Sequence, residues 1–269
     1  MLVTFDGEAR SGKGTIVQAT KDYLRDVGGY KTMLIDRGQT FRALVIAITR
    51  AGIDINDWEK VDEFLLSDEH IESCTAFVKQ VYRMTKAERD PLIYTNEVGA
   101  TCAIVGSHAS SQLFVKNLTK KWIRDAIDEG YQVVLIDGRT LEGIAVEMDQ
   151  EGLCDYRLGL YFVCDAVMGA RRTLGFANIS YADLNTQNRR EVDELVAQIH
   201  ERNRRDKERD TERLLVPTDA PIFKLPDISH EITSERQMLI IDSSAELSKA
   251  EMSKPVAEFV YQTLSARDA

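Results

Sequence analysis

The stretch Gly7-Glu8-Ala9-Arg10-Ser11-Gly12-Lys13-Gly14-Thr15 constrains this chain more than any other. The apolar run Leu2-Val3-Thr4-Phe5 before it reads as a short buried strand, and a helical pattern opens at about Lys13. Strand, glycine-bounded loop and helix are the parts of a phosphate loop. A tight loop turns its backbone N–H groups inward to form a concave anion site, and the helix N-terminus adds its positive dipole end. Gly7 and Gly12 permit backbone angles that a Cβ blocks, and Lys13 brings a mobile positive charge to the terminal phosphates. The stretch departs from the common G-x-x-x-x-G-K-[ST] pattern: position 14 is Gly, and the hydroxyl follows at Thr15. A chance glycine turn before a helix is the competing reading, and the flanking strand and helix weigh against it.

With 269 residues, 43% of them hydrophobic, the chain suffices for one sizeable α/β domain. Its net charge of −10 argues against a protein that grips DNA or RNA, although local arginines can still hold a small anion. The four cysteines (Cys74, Cys102, Cys154, Cys164) form no C-x-x-C pair and the four histidines lack ligand spacing, so neither a disulfide frame nor a zinc site is expected. No leader pattern and no membrane-length apolar run is visible, which makes the cytoplasm the expected location.

Further apolar runs at Thr32–Ile35, Gln132–Ile136, Leu158–Val163 and Met238–Ile241 bring the expected strands to five, separated by helical stretches. Residues 75–81 alternate loosely and also suit a strand, whereas Trp58 and Trp122 read as core. Short, wholly apolar runs between helices imply a parallel sheet covered on both faces, with ligands beyond the carboxyl ends of its strands. Those ends read Asp6-Gly7, Asp36-Arg37-Gly38, Asp137-Gly138-Arg139 and Asp165.

Arg42 and Arg139 follow neighbouring strand ends, where two guanidinium groups can clamp one phosphate; each is otherwise a solvated surface arginine. Asp137 stands where a carboxylate holds Mg²⁺ beside a phosphate loop, with a cap or turn as its other reading. From the apolar positions Leu195 and Ile199, steps of three and four lead to Arg202, Asp206 and Arg209. That face reads as a lid delivering arginines to a closing site. The alternative is an ion-pair-laced surface helix, which Arg204, Arg205, Lys207 and Glu208 suit.

These pieces together resemble the bacterial-type cytidylate kinases, among the P-loop nucleoside monophosphate kinases. The resemblance rests on Gly7 to Thr15, Leu34-Ile35-Asp36-x-Gly38-x-x-Phe41-Arg42-Ala43-Leu44, Thr95-x-Glu97-Val98, Asp137-Gly138-Arg139, Ala170-Arg171-Arg172, Arg202-x-x-Arg205-Asp206-x-x-Arg209 and Ile241-Asp242-Ser243. It implies an α/β P-loop kinase core with a five-stranded parallel sheet flanked by helices, carried by one domain. The core would take residues 1–56, 101–171 and 237–269, an acceptor-binding insert 57–100, and a mobile lid with an insertion 172–236. ATP would bind at Gly7, Arg10, Ser11, Gly12, Lys13, Gly14, Thr15 and Arg171, with Mg²⁺ at Thr15 and Asp137. Lys13, Arg202, Asp206 and Arg209 would carry the transfer. The acceptor would meet Arg37, Arg42, Asp137, Arg139, Thr140, Arg202 and Asp206. Partners would be small nucleotides, with neither nucleic acid nor membrane, and the chain would be a monomer.

The departures from that family concern base recognition. Arg37 replaces a common serine, Thr140 an aspartate, Tyr94 an arginine, and Gln112 stands where an arginine is expected. A P-loop kinase of another small metabolite, or a nucleotide-binding regulatory module without transfer activity, therefore stays open as a reading.

Overall fold

The computed structural model describes residues 1–209, 212–233 and 235–266, the side chain of Asn96 excepted. The described chain divides into two compact units, residues 1–35 with 126–269 and residues 36–125.

The first unit is built on one sheet. Its strands are β1 (Leu2–Gly7), β2 (Thr32–Asp36), β3 (Val133–Asp137), β4 (Tyr156–Val163), β5 (Ile222–Lys224) and β6 (Gln237–Asp242), in the order β2-β3-β1-β4-β6-β5. The pairings of β1 with β3 and β4, of β4 with β6 and of β5 with β6 are all parallel. The sheet thus has six strands where five are expected; β5 is the addition. It lies at the edge, is three residues long and alternates exposed, half-buried, exposed, so it carries little of the apolar signal that marks a strand.

Register sets the rim. Phe5 pairs with Asp137, Gly7 with Phe162, and Val163 with Asp242, so the carboxyl ends of β1, β3, β4 and β6 finish near one level. Helices α1 (Lys13–Asp26) and α11 (Lys249–Ser265) pack on each other and seal one apolar layer. Val3, Phe5, Leu158, Leu160 and Phe162 from the strands meet Ile16, Leu24, Val256 and Val260 there, all fully buried. Helix α8 (Glu142–Gln150) packs on β1 and β4. Helix α9 (Ala166–Thr173) receives the 22-residue helix α10 (Thr186–Lys207) through Ala170, Leu184, Val192 and Ile199.

The second unit is helical. It holds α2 (Arg37–Arg50), α3 (Trp58–Leu66), α4 (Asp68–Arg83), α5 (Lys86–Ile93), α6 (Asn96–Val105) and most of α7 (Ala109–Asp128). The strand expected over 75–81 is instead the second half of α4, because Cys74, Val78 and Val81 are the buried positions and they repeat at helical spacing. Trp122 is core, as its pattern implies, but Trp58 is half-exposed and stacks on His108. No described helix is long and apolar enough to cross a membrane.

Candidate functional site

The loop after β1 has the backbone its glycines foreshadow. Gly7 has φ +129°, and a Cβ there would lie 2.2 Å from the Phe162 carbonyl oxygen, so no other residue fits without moving β4. Gly12, at φ +82°, is the N-cap of α1. It supplies no capping side chain, and the first helical turn contains no acidic residue. Gly14 and Thr15, on that turn, are exposed. Such a helix start is suited to an outside anion.

The loop is tied from behind. The Ser11 hydroxyl, buried, donates to the Glu8 carbonyl (3.0 Å), and the Ser243 hydroxyl donates to the Ser11 carbonyl (2.8 Å). Glu8 N–H donates to the Phe162 carbonyl (2.9 Å). Arg10 is exposed with φ +60°. Lys13 and Asp137 meet in front of the loop, Nζ to Oδ1 at 2.6 Å. The second Asp137 oxygen lies 3.7 Å from where a Cβ on Gly14 would stand.

Asp6 joins β1 to the turn after β3. Its carboxylate accepts from the N–H groups of Gly7 (2.6 Å), Thr140 (3.0 Å) and Leu141 (2.6 Å). Burial pushes its pKa above the ordinary carboxylate value; these N–H groups and the charge of Lys13 offset part of that rise. Thr140 is thereby held at φ +63°, an angle rare for a β-branched residue.

Arg139 sits one residue earlier in that turn and meets the end of α10. Its Nε donates to the Gly7 carbonyl (3.2 Å) and its Nη2 to Asn203 Oδ1 (2.5 Å). Asp206, buried, pairs with both Arg139 and Arg209. Burial, with the nearby charges of Arg202 and Arg209, pushes the Arg139 guanidinium down to about 9. A cation crowded by two others in a low-dielectric place favours an incoming anion. Of the face expected on α10, Asp206 is buried and Arg209 half-buried, whereas Arg202 is exposed. The buried line runs Ile199, Asn203, Asp206. Asn203 is the residue that sequence reasoning misses: a step of four from Ile199 lands on it as readily as a step of three lands on Arg202.

Arg171 is buried in α9, where its Nη2 donates to the Ala177 carbonyl (3.1 Å) and to Glu246 (2.8 Å). An open cavity of about 840 Å³ is bounded by Glu8, Asp165, His200, Asn203 and Lys207, among others.

Within the second unit, Arg37 is buried at the start of α2, and its Nη2 donates to Gln112 Oε1 at 3.4 Å. Gln112 also donates to the Gly106 carbonyl. Arg42, half-buried, donates to the Gly38 carbonyl (3.2 Å) and lies 4.9 Å over the Tyr94 ring. Asp36 accepts from Gln39 N–H (2.9 Å) as the α2 cap.

A phosphate loop that feeds a helix on a parallel sheet, its carboxyl rim carrying an Asp–Lys pair and gathered arginines, defines a P-loop kinase. Within that class the chain belongs to the cytidylate kinase family of nucleoside monophosphate kinases: the family model described as Cytidylate kinase matches residues 3–242. The chain is similar to a protein named cytidylate kinase from Bacillus pumilus (strain SAFR-032), 24% identical over 224 residues, covering 82% of this chain and 86% of that one. It is also similar to a cytidylate kinase of Shouchella clausii (strain KSM-K16), 31% identical over 107 residues, covering 39% of this chain and 44% of that one.

Proposed function

We propose that this chain moves the γ-phosphate of ATP onto the phosphate of a nucleoside monophosphate, cytidylate among those accepted, with looser choice of base than its relatives' name implies. The observation that carries the reading is the rim that bears both the Lys13–Asp137 pair and the two guanidinium groups of Arg139 and Arg209 gathered on Asp206. An acceptor phosphate is already nucleophilic, so transfer needs positioning and charge neutralisation more than a strong base.

The residues present suit a magnesium nucleotide. The uncapped start of α1 offers N–H groups to phosphate oxygens, and the Thr15 hydroxyl with the Asp137 carboxylate supplies hard oxygen donors for Mg²⁺. Held there, the ion would supply positive charge against the phosphates. Gly7, Arg10, Ser11, Gly12, Gly14 and Arg171 are proposed for the donor. Arg42 and Arg139 are proposed for the acceptor phosphate, and Arg37 and Thr140 for the rest of the acceptor. Arg202, Asp206 and Arg209 are proposed to close over the transfer. A second reading, transfer to another small phosphorylated metabolite, is favoured by Arg37, whose buried charge sits on Gln112.

Turnover of ATP–Mg²⁺ with a panel of monophosphates tests the proposal, with Lys13→Ala beside the wild type. Wild type should turn over at least one monophosphate. The variant should lose ~10²-fold or more, the usual cost of a stabilising donor felt mainly in the transition state, with its thermal melt unchanged. A variant that keeps a tenth of the activity overturns the role of the loop.

A further inference from the structure

Asn203 is bound to two parts of the site at once. Its Oδ1 accepts from the Ala9 N–H (3.0 Å), inside the phosphate loop, and from Arg139 Nη2 (2.5 Å), on the turn after β3. It does so from α10, one helical turn beyond Ile199, which anchors that helix on α9. Both donors belong to groups whose placement matters. The Ala9 N–H is part of the loop backbone, and Arg139 is the guanidinium crowded by Arg202 and Arg209. Asn203 is also buried, although it borders the open cavity, so water competes for its two bonds less than at the exposed face of α10.

The chemistry of the side chain fits a latch. An amide oxygen accepts two hydrogen bonds without bringing charge. Asp206, three residues on, already supplies the carboxylate that balances Arg139 and Arg209. The neutral acceptor thus adds geometry and leaves the positive field intact for an anion. Asp206 fixes charge, and Asn203 fixes where α10 sits on the loop.

We infer that Asn203 is a positioning residue for phosphoryl transfer: it docks α10 onto the Ala9 N–H of the phosphate loop and, through the same oxygen, aims the Arg139 guanidinium. This rests on the transfer reading above and adds a residue to it. Asn203 acts through Arg139 and the loop, so its loss should lower the rate of the chemical step more than it weakens nucleotide binding.

The test uses the full chain with Asn203→Leu, Asn203→Asp and, as a control on the exposed side of α10, Arg204→Ala. Arg204 pairs with Glu201 and Glu208 and touches neither the loop nor Arg139 in any described contact. Asn203→Leu removes the acceptor at similar size; Asn203→Asp keeps it. With ATP–Mg²⁺ and the best acceptor, Asn203→Leu should lose at least ~30-fold in kcat with KM for ATP within threefold. Asn203→Asp should recover to within fivefold of wild type, and Arg204→Ala should stay within twofold. Hydrogen exchange of the unliganded proteins gives a readout free of activity: the Ala9 amide and residues 200–207 should exchange at least ~10-fold faster in Asn203→Leu alone. Asn203→Leu keeping a third of wild-type kcat, Asn203→Asp failing as badly as Asn203→Leu, or an unchanged Ala9 amide would each overturn the inference. A wild type inactive toward every monophosphate would instead overturn the transfer reading, and the exchange measurement would still decide on the latch.

Discussion

At the scale of single residues, backbone and charge constraints explain which positions tolerate no replacement. Gly7 is fixed by the Phe162 carbonyl, as its place in the loop motif foreshadows, and Asp6 by three N–H groups, which the sequence shows only as a carboxylate at a strand end. His108 makes a prediction of its own. It is buried at the start of α7 beneath Trp58, and its Nε2 has no hydrogen-bond partner among the described residues. Burial lowers its pKa below the ordinary 6.5, and the charge of Asp62 offsets part of that drop. The unfolded chain therefore binds the proton more readily than the folded one. The stabilising contribution is fully present above pH ~6.5 and is lost as pH falls below it. Thermal melts from pH 7.5 to 5 should show that decline in the wild type, and His108→Gln should flatten it. Equal slopes would mean His108 meets enough water to titrate normally.

Elements show why much of the fold is legible and the rest is not. All five apolar runs became strands; β1, β3, β4 and β6 are buried on both faces, and β2, half-buried but for Ile35, still shows as an unbroken apolar run. β5 escaped notice because Ile222-Phe223-Lys224, on the sheet edge, has only a half-buried Phe to mark it. The strand read over 75–81 failed on period: Cys74, Val78 and Val81 outweigh a loose alternation. On α10 the reading steps to Arg202 and Asp206, whereas the buried positions are Asn203 and Asp206, since the 3.6-residue period leaves adjacent positions equally eligible; Arg209 lies beyond the helix, which ends at Lys207. Charge drew the choice toward arginine, whereas burial selected the amide. The element carries its own prediction. Helix α10 joins the first unit mainly through α9 and the polar contacts of its last turns, which suits a segment that opens and closes. A bisubstrate analogue joining adenosine and cytidine through five phosphates should slow hydrogen exchange over residues 186–209. Unchanged exchange there would make α10 a static surface helix.

For the whole molecule, the question is how a chain of net charge −10 chooses among anions. Long-range attraction does not favour a nucleotide, so selection falls to local groups. Arg42 and Arg139 are each proposed to meet a phosphate, a group that every monophosphate shares, so neither would discriminate among bases. Discrimination requires buried polar groups that a wrong base leaves unpaired. Arg37 and Thr140 stand at positions that resemble the family's base-reading set, and neither has the serine or aspartate chemistry that the resemblance implies there. Arg37 is long, permanently charged and spends one nitrogen on Gln112, whose own amide is held by the Gly106 carbonyl. Thr140 has no carboxylate with which to hold an amino group, and its hydroxyl donates to the Arg139 carbonyl next to it. Across CMP, dCMP, UMP, AMP, GMP and dTMP, kcat/KM should therefore spread far less than ~10³-fold in favour of CMP, a selectivity equivalent to roughly 4 kcal/mol, or should peak on another acceptor. Arg42→Ala and Arg139→Ala should lower kcat/KM for all acceptors alike. Thr140→Asp combined with Arg37→Ser should move the preference toward CMP, because together they supply the short hydroxyl and the carboxylate that the resemblance implies for base reading. A wild type that already prefers CMP by ~10³-fold would mean that base reading is done elsewhere in the chain.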